Sequence, residues 1–228
     1  MQVGILVDMI APLRSPDAAD DSQSASERAY ESTKRAIIRG ELEAGTMTSE
    51  LLVCQQLGLS RTPVHDAFLR LAADGLLSLE ARKGAVVRPI SPNEARDVLE
   101  MREAVEGMAA ARVITDGATD ELTATLGTLL AAQEQALANH DTDAFADADD
   151  AFHTAIVTAS GNAIAAHFTR FLRDRQQRLR HQLIRANPEQ YGDALEHHTQ
   201  LAAALAAGDA ERYRMVLAAH VAAYGVAS

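Results

Sequence analysis

The chain has no tryptophan, one cysteine and only 4% aromatic residues, with 6 prolines and 13 glycines among 228 residues. Cys54 has no second cysteine to pair with, which excludes a disulfide-stapled fold and points to a reducing, cytoplasmic setting. Scarce proline and glycine remove the main breakers of long helices. No apolar run reaches the roughly 20 residues of a membrane-spanning helix, so no membrane partner is expected. Val3–Ile10 is apolar but short, carries Asp8 and has no basic flank before it, so it does not read as a signal peptide. A glycine-rich phosphate loop, a CxxC pair and a serine-nucleophile elbow are also missing, and no enzyme is expected.

What is present is 47% hydrophobic residues in a length suited to two modest domains. Ser15–Ser26 is polar and acidic with no apolar period, which marks a disordered tail over 1–23. The net charge of −11 is unevenly spread. Residues 24–90 carry 9 Lys and Arg against 8 Asp and Glu, whereas 91–228 carry 11 against 20. The acidity therefore belongs to the C-terminal part. A balance of +1 is still a weak electrostatic footprint for DNA, so motif geometry has to carry that reading.

A first helix is expected from near Ser26, as N-cap, to Arg39, with Tyr30, Thr33, Ile37 and Ile38 on one face and Gly40 as stop. A short second helix starts after Thr48 or Ser49, buries Leu52, Val53 and Leu57, and ends at Gly58. A third follows with Ser60 as N-cap and Pro63 in its first turn. Val64, Ala67, Phe68 and Leu71 form its buried face, leaving Arg61, Thr62, His65, Asp66 and Arg70 outside. Two short helices joined by a glycine turn, the second polar near its start, make a helix-turn-helix. Leu76–Glu80 and Ala85–Arg88 read as strands, and Arg82, Lys83 and Gly84 as the basic turn of a wing.

The stretch Tyr30–Pro89, with AIIRGELEAG, QQLGLSRTPVHDAFLRLAADGLL and RKGAVV, resembles the DNA-binding domain of the GntR family. The resemblance implies that Arg61 and Thr62 meet bases or phosphates in the major groove while Lys83 and Gly84 reach the minor groove. Ser60, His65, Arg70 and Arg82 complete the expected DNA-binding set. His65 and Leu51 stand where the family usually or often has arginine, which should weaken phosphate contact and shift base preference.

Ser91-Pro92 restarts the chain as an N-cap with proline at N1. Six helices are expected near 93–114, 120–138, 142–159, 163–185, 189–207 and 209–224. Asp149 and His153, four residues apart, stand one above the other on the face of Phe145, Phe152 and Ile156. His198 falls at the centre of the face of Leu195, Leu201, Ala202 and Leu205, with His197 turned about 100° outward. His220 lies among Tyr213, Leu217, Val221 and Tyr224. Four ligand-type side chains thus point inward from three helices, where burying them unpaired would be costly. Three imidazoles and a carboxylate suit a divalent metal, zinc foremost, with nickel, manganese or iron also compatible. Arg102, among Val98, Met101, Val105 and Ala109, and Arg175, among Phe168, Phe171, Leu172 and Leu179, are the cations placed to clamp an anion, unless either pairs with a buried carboxylate such as Glu106 or lies in a dimer interface. The remaining arginines of the run Arg173–Arg180 read mostly as a solvated face or interface.

ADADDAFHTAIVTASGN, HTQLAAALAAGDAERYRMVLAAH and MREAVEGMAAAR resemble the FCD-type ligand-binding domain of the FadR branch of GntR regulators. The resemblance implies a metal at Asp149, His153, His198 and His220 with a small carboxylate effector above it. The expected fold is mainly α: a winged helix-turn-helix over 24–90 and an all-helical sensor and dimerisation domain over 91–228. The expected function is a homodimeric regulator, by family a repressor, released from a double-stranded DNA operator by the effector. Two alternatives stay open: the metal itself is the signal, or the C-terminal domain is a metal-dependent enzyme. The second lacks a general base, since Asp150 is turned about 100° from the cluster.

Overall fold

Helix α1 (Ala25–Ile38) begins at Ser24, whose hydroxyl accepts from the Glu27 N–H at 3.1 Å. The cap is therefore two residues earlier than the expected Ser26, because Ser24 is the serine with an acid three residues on, the capping-box spacing. The computed structural model describes residues 23–81, 84–186 and 190–223. Residues 1–22 of the tail expected over 1–23, and Arg82 and Lys83 of the expected wing turn, lie outside the described residues. The chain divides into two compact units between Ile90 and Ser91.

The first unit continues with β1 (Met47–Thr48), α2 (Glu50–Leu57), α3 (Arg61–Ala73), β2 (Leu77–Glu80) and β3 (Gly84–Val87). Ser49 caps α2 through the Leu52 N–H, and Gly58 ends it at φ 64°. The turn into α3 is thus short and left-handed, as a helix-turn-helix requires. Ser60 holds the N-cap position of α3 without a side-chain cap bond. Val64, Ala67, Phe68 and Leu71 are fully buried and pack with Tyr30, Ile37, Val53, Leu77, Ala85 and Val87. That core ties α3 to α1 and to strands β2 and β3.

The sheet has the order β1-β3-β2 with antiparallel pairs. β1 had no sequence signal, since two residues are too few to show an alternation. Its consequence is clear at Gly84, where φ is +108° and an added Cβ would stand 2.5 Å from the Thr48 carbonyl oxygen. Glycine is required there by packing, whatever the wing touches.

The second unit is a bundle of α4 (Pro92–Asp116), α5 (Asp120–Ala138), α6 (Thr142–Ala159), α7 (Ala163–Ala186), α8 (Gln190–Ala206) and α9 (Ala210–Ala223). Ser91, Thr119 and Asp141 cap α4, α5 and α6 with side-chain oxygens, and Gly117, Gly161 and Gly208 supply positive φ at the breaks. Helix α6 packs on α4, α5 and α7, and α9 packs on α4 and α8. Phe145, Phe152 and Ile156 of α6, Leu201 and Leu205 of α8, and Tyr213 and Leu217 of α9 fill the interior. These helices hold the inward polar residues in the least hydrated part of the unit.

Candidate functional site

Asp149 and His153 from α6, His198 from α8 and His220 from α9 meet inside the bundle. One ligand atom from each lies within 4.8 Å of all the others, and all four residues are buried. The i, i+4 spacing on α6 and the inner-face phases of α8 and α9 bring them together, as the sequence pattern implies.

The rings are aimed. His153 Nδ1 stands 2.8 Å from Glu106 Oε2. Burial would raise the Glu106 pKa, but Arg102 and then His153 outweigh it and bring it to about 2, so this carboxylate is charged and favours a proton on the Nδ1 facing it, by charge rather than through an aligned hydrogen bond. His198 Nδ1 stands 2.6 Å from Gln133 Oε1, which can only accept. Both rings therefore carry their proton on Nδ1 and present a lone pair at Nε2. The Nε2 atoms of His153 and His198 are 3.1 Å apart, and those of His198 and His220 are 3.4 Å apart.

Two facing lone pairs at that distance repel unless a proton or cation lies between them. Protonation is opposed: burial outweighs the opposing pull of Asp149 and brings His198 to about 3, and burial first holds His220 well below the ordinary value. Two nitrogens on one ion at about 2.1 Å would lie about 3.0 Å apart at a right angle and about 3.4 Å at the tetrahedral angle. The observed spacings fall in that window, so the residues present fit a divalent metal. Asp149 Oδ1 is 3.5 Å from His198 Nε2, close enough to complete the donor set.

Two arginines enclose the cluster. Arg102 is buried, with Nε 2.9 Å from Glu106 Oε1 and Nη2 3.2 Å from His220 Nε2. The pairing with Glu106, held open as an alternative from sequence, is realised. Arg180 is buried on α7, with Nη2 2.6 Å from Asp149 Oδ2 and Nη1 donating to the Ala146 carbonyl at 3.1 Å. Burial opposes ionisation of Asp149, but Arg180, His198, His153 and Arg102 together hold its carboxyl well below the usual range.

Several expectations change. Arg175 is not brought to the cluster: it is 35% exposed, 3.7 Å from Glu94 Oε1 and over the Phe171 ring. Phe168 and Phe171 are themselves exposed, so the face assigned to Arg175 is an outer face, and α7 turns Arg180 inward instead. The signal was there, since Leu172, Gln176, Leu179 and Arg180 share one helical face. Met101 is exposed beside the inward Arg102. His197 is half-buried rather than outward, its ring centroid 5.8 Å from that of His220. Gln133, seven residues after the buried Leu126, was missed. Asp150 pairs with Arg173 at 2.7 Å and faces away from the four ligands. Tyr224 lies outside the described residues.

In the first unit, Ser60, Arg61, Thr62, His65 and Arg70 are all exposed. Arg61 and Thr62 occupy the first two helical positions, where free backbone N–H groups favour anions. His65 Nδ1 lies 2.7 Å from Glu50 Oε1, and that hydrogen bond raises its pKa. Arg70 is held by Glu27 at 2.7 Å and lies 3.9 Å over the Tyr30 ring.

A winged helix-turn-helix joined to an all-helical unit with a buried carboxylate and three histidines defines a class, the two-unit DNA-binding regulator. The family model for bacterial regulatory proteins of the gntR family matches residues 25–87, and that for the FCD domain matches 97–223. The chain belongs to the GntR family of transcriptional regulators, in its FCD-bearing form. It is 33% identical to a probable D-xylose utilization operon transcriptional repressor of Paenarthrobacter nicotinovorans, over 82% of this chain and 81% of that one. It is 34% identical to an HTH-type transcriptional regulator in the TAR-I ttuE-ttuC' intergenic region of Agrobacterium vitis, over 63% of this chain and 87% of that one. The solved structure of E. coli McbR/YncC is similar at 28% identity and TM-score 0.72, over 87% of this chain and 94% of that one. No helix among the described residues is long and apolar enough to cross a membrane.

Proposed function

We propose that this chain is a homodimeric repressor whose hold on a double-stranded DNA operator is released by a small carboxylate bound at a divalent metal, zinc foremost, in the C-terminal unit. The observation that carries it is the convergence of three buried Nε2 atoms on Asp149, with the rings of His153 and His198 oriented by Glu106 and Gln133. Asp149, His153, His198 and His220 would hold the metal. When bound, it supplies a positive charge and open coordination positions for an oxygen ligand. Arg102 shares Glu106 with His153 and touches His220, so an anion near the cluster competes with Glu106 for it. Arg180 fixes Asp149 and takes the enclosing role first given to Arg175.

On the DNA side, Ser60, Arg61 and Thr62 offer hydroxyls and a cation at the start of α3, with His65 one turn on. Arg70 would have to exchange Glu27 for a phosphate. Arg82 and Lys83 supply the wing's charge, and Gly84 its close turn. Release from the operator is a coupling between two sites, so DNA must weaken effector binding by the same factor. Repression is the sign carried by the name of the Paenarthrobacter relative.

The test is fluorescence anisotropy on DNA selected by the full chain. Zinc-loaded protein should lose affinity on adding D-xylonate, the acid of that relative's sugar, or citrate, and chelated protein should not respond. A second reading has one observation in its favour, that Arg102 is already paired inside the site. Release by metal alone, with no carboxylate added, would establish that reading and displace the first.

A further inference from the structure

His65 lies one helical turn beyond Arg61 on α3, and its side chain is 53% exposed. Its ring is held: Nδ1 stands 2.7 Å from Oε1 of Glu50, the first residue of α2. A carboxylate only accepts, so Nδ1 carries a proton whether the ring is neutral or charged. The ring's remaining polar atom is Nε2, an acceptor on the neutral imidazole and a donor on the imidazolium. Few charged groups face this ring. Glu50 does so from α2, while Asp66 adjoins it and Arg61 precedes it by a turn on its own helix. From α1, Glu27 is engaged by Arg70, and the one charged residue of β2, Glu80, is paired with Gly84 at the wing end. Glu50, through its hydrogen bond first and its charge second, therefore dominates the titration of the ring and moves it upward.

We infer that His65 reads one base of the operator and that the base it favours changes class with pH: adenine or cytosine when the ring is neutral, guanine when it is charged. The inference rests on the reading that the start of α3 meets DNA, and adds the base chemistry that one residue selects. In the major groove adenine N6 and cytosine N4 are donors, whereas guanine shows two acceptors, O6 and N7. A neutral Nε2 accepts from either donor and meets only lone pairs on guanine. Protonation turns the same atom into a charged donor, and guanine becomes the better partner through a charge-assisted bond. The contact with Glu50 is what separates the two states. It excludes the neutral tautomer with a proton on Nε2, which would donate as the imidazolium does and read the same base. The negative charge of Glu50 opposes the DNA backbone, so its contribution is to base choice and not to total affinity.

Binding-site selection from random DNA with the full chain tests this, run at about pH 6 and about pH 8.5, either side of the ordinary imidazole value of about 6.5. His65→Ala, at an exposed position outside the core, identifies the base pair concerned as the one whose preference it erases. There wild type should favour adenine or cytosine at the higher pH and guanine at the lower. The ratio of affinities for the adenine and guanine DNAs, read by anisotropy, should move at least about tenfold, as gain of a bond to a charged group does. A ratio on one protein cancels any change of total affinity with pH. Glu50→Ala should move the change to lower pH, and His65→Arg should favour guanine at both. Arg61→Ala checks the underlying reading. If it weakens binding while His65→Ala alters no position, or while wild-type preference is the same at both pH values, the inference is overturned and the reading of α3 stands. If neither Arg61→Ala nor His65→Ala alters binding or preference, both fall.

Discussion

Replacing Gln133 with leucine removes the acceptor of the His198 Nδ1–H while keeping the side chain's size. Gln133 and His198 are both fully buried and 2.6 Å apart, so no water can take the lost place. Leaving that N–H unsatisfied costs about 1–3 kcal/mol, or the ring moves its proton to Nε2 and ceases to be a ligand. Either route lowers metal affinity, by about 10–100-fold if Gln133 behaves as other residues that orient a ligating histidine. Competition with a chromophoric chelator reads this directly. Thermal unfolding reads it again, because metal stabilises the folded state by mass action and each tenfold loss removes about 1.4 kcal/mol of that gain. A zinc affinity unchanged in Gln133→Leu would refute the tautomer argument and, with it, the reason for expecting a metal from the ring geometry.

His197→Ala should keep metal binding while His198→Ala loses it, measured by the same chelator competition; the reverse would place the wrong ring at the site. Arg102→Ala strands the Glu106 carboxylate in the interior, so the bundle should lose about 3–5 kcal/mol in urea unfolding, with Arg102→Ala/Glu106→Gln recovering part of it. Chelated protein should lose stability in acid: His198 has a folded pKa of about 3 against 6.5 unfolded, so below pH 6.5 the unfolded chain binds a proton the folded chain refuses. Its contribution is whole above pH 6.5 and falls by up to about 1.4 kcal/mol per pH unit down to about 3, which unfolding at stepped pH checks against His198→Ala. Glu50→Gln frees His65 and removes a negative charge from beside the reading helix, so anisotropy should show severalfold tighter DNA binding; weaker binding would mean that Glu50 positions His65 productively.

Much of this was legible because helices write their inner faces in the chain. The period of Val64, Ala67, Phe68 and Leu71 fixed the buried side of α3, and hence which polar residues it exposes. The same phase argument placed Asp149, His153, His198 and His220 together from three helices. It failed where a face is not simply apolar. Arg175 follows two phenylalanines, and large apolar neighbours look like core from sequence even when they are an outer stripe. Arg180 read as part of a solvated face or interface and Gln133 gave no sign of its role, because long polar side chains are seldom buried without a partner, and their partners, Asp149 and His198, lie 31 and 65 residues away in the chain. β1 is set by pairing with β3 and has no local signal. Ser24 outcompeted Ser26 through the position of Glu27, a distinction that was readable from spacing.

Metal content decides whether the buried cluster is what its geometry indicates. Full-length protein, incubated with zinc, desalted and assayed by elemental analysis, should carry one zinc per chain. Folded His198→Ala and His220→Ala, treated identically, should carry little or none. Wild-type protein that emerges metal-free after zinc, nickel, manganese or iron, or histidine variants that retain a full equivalent, would contradict a metal held by Asp149, His153, His198 and His220.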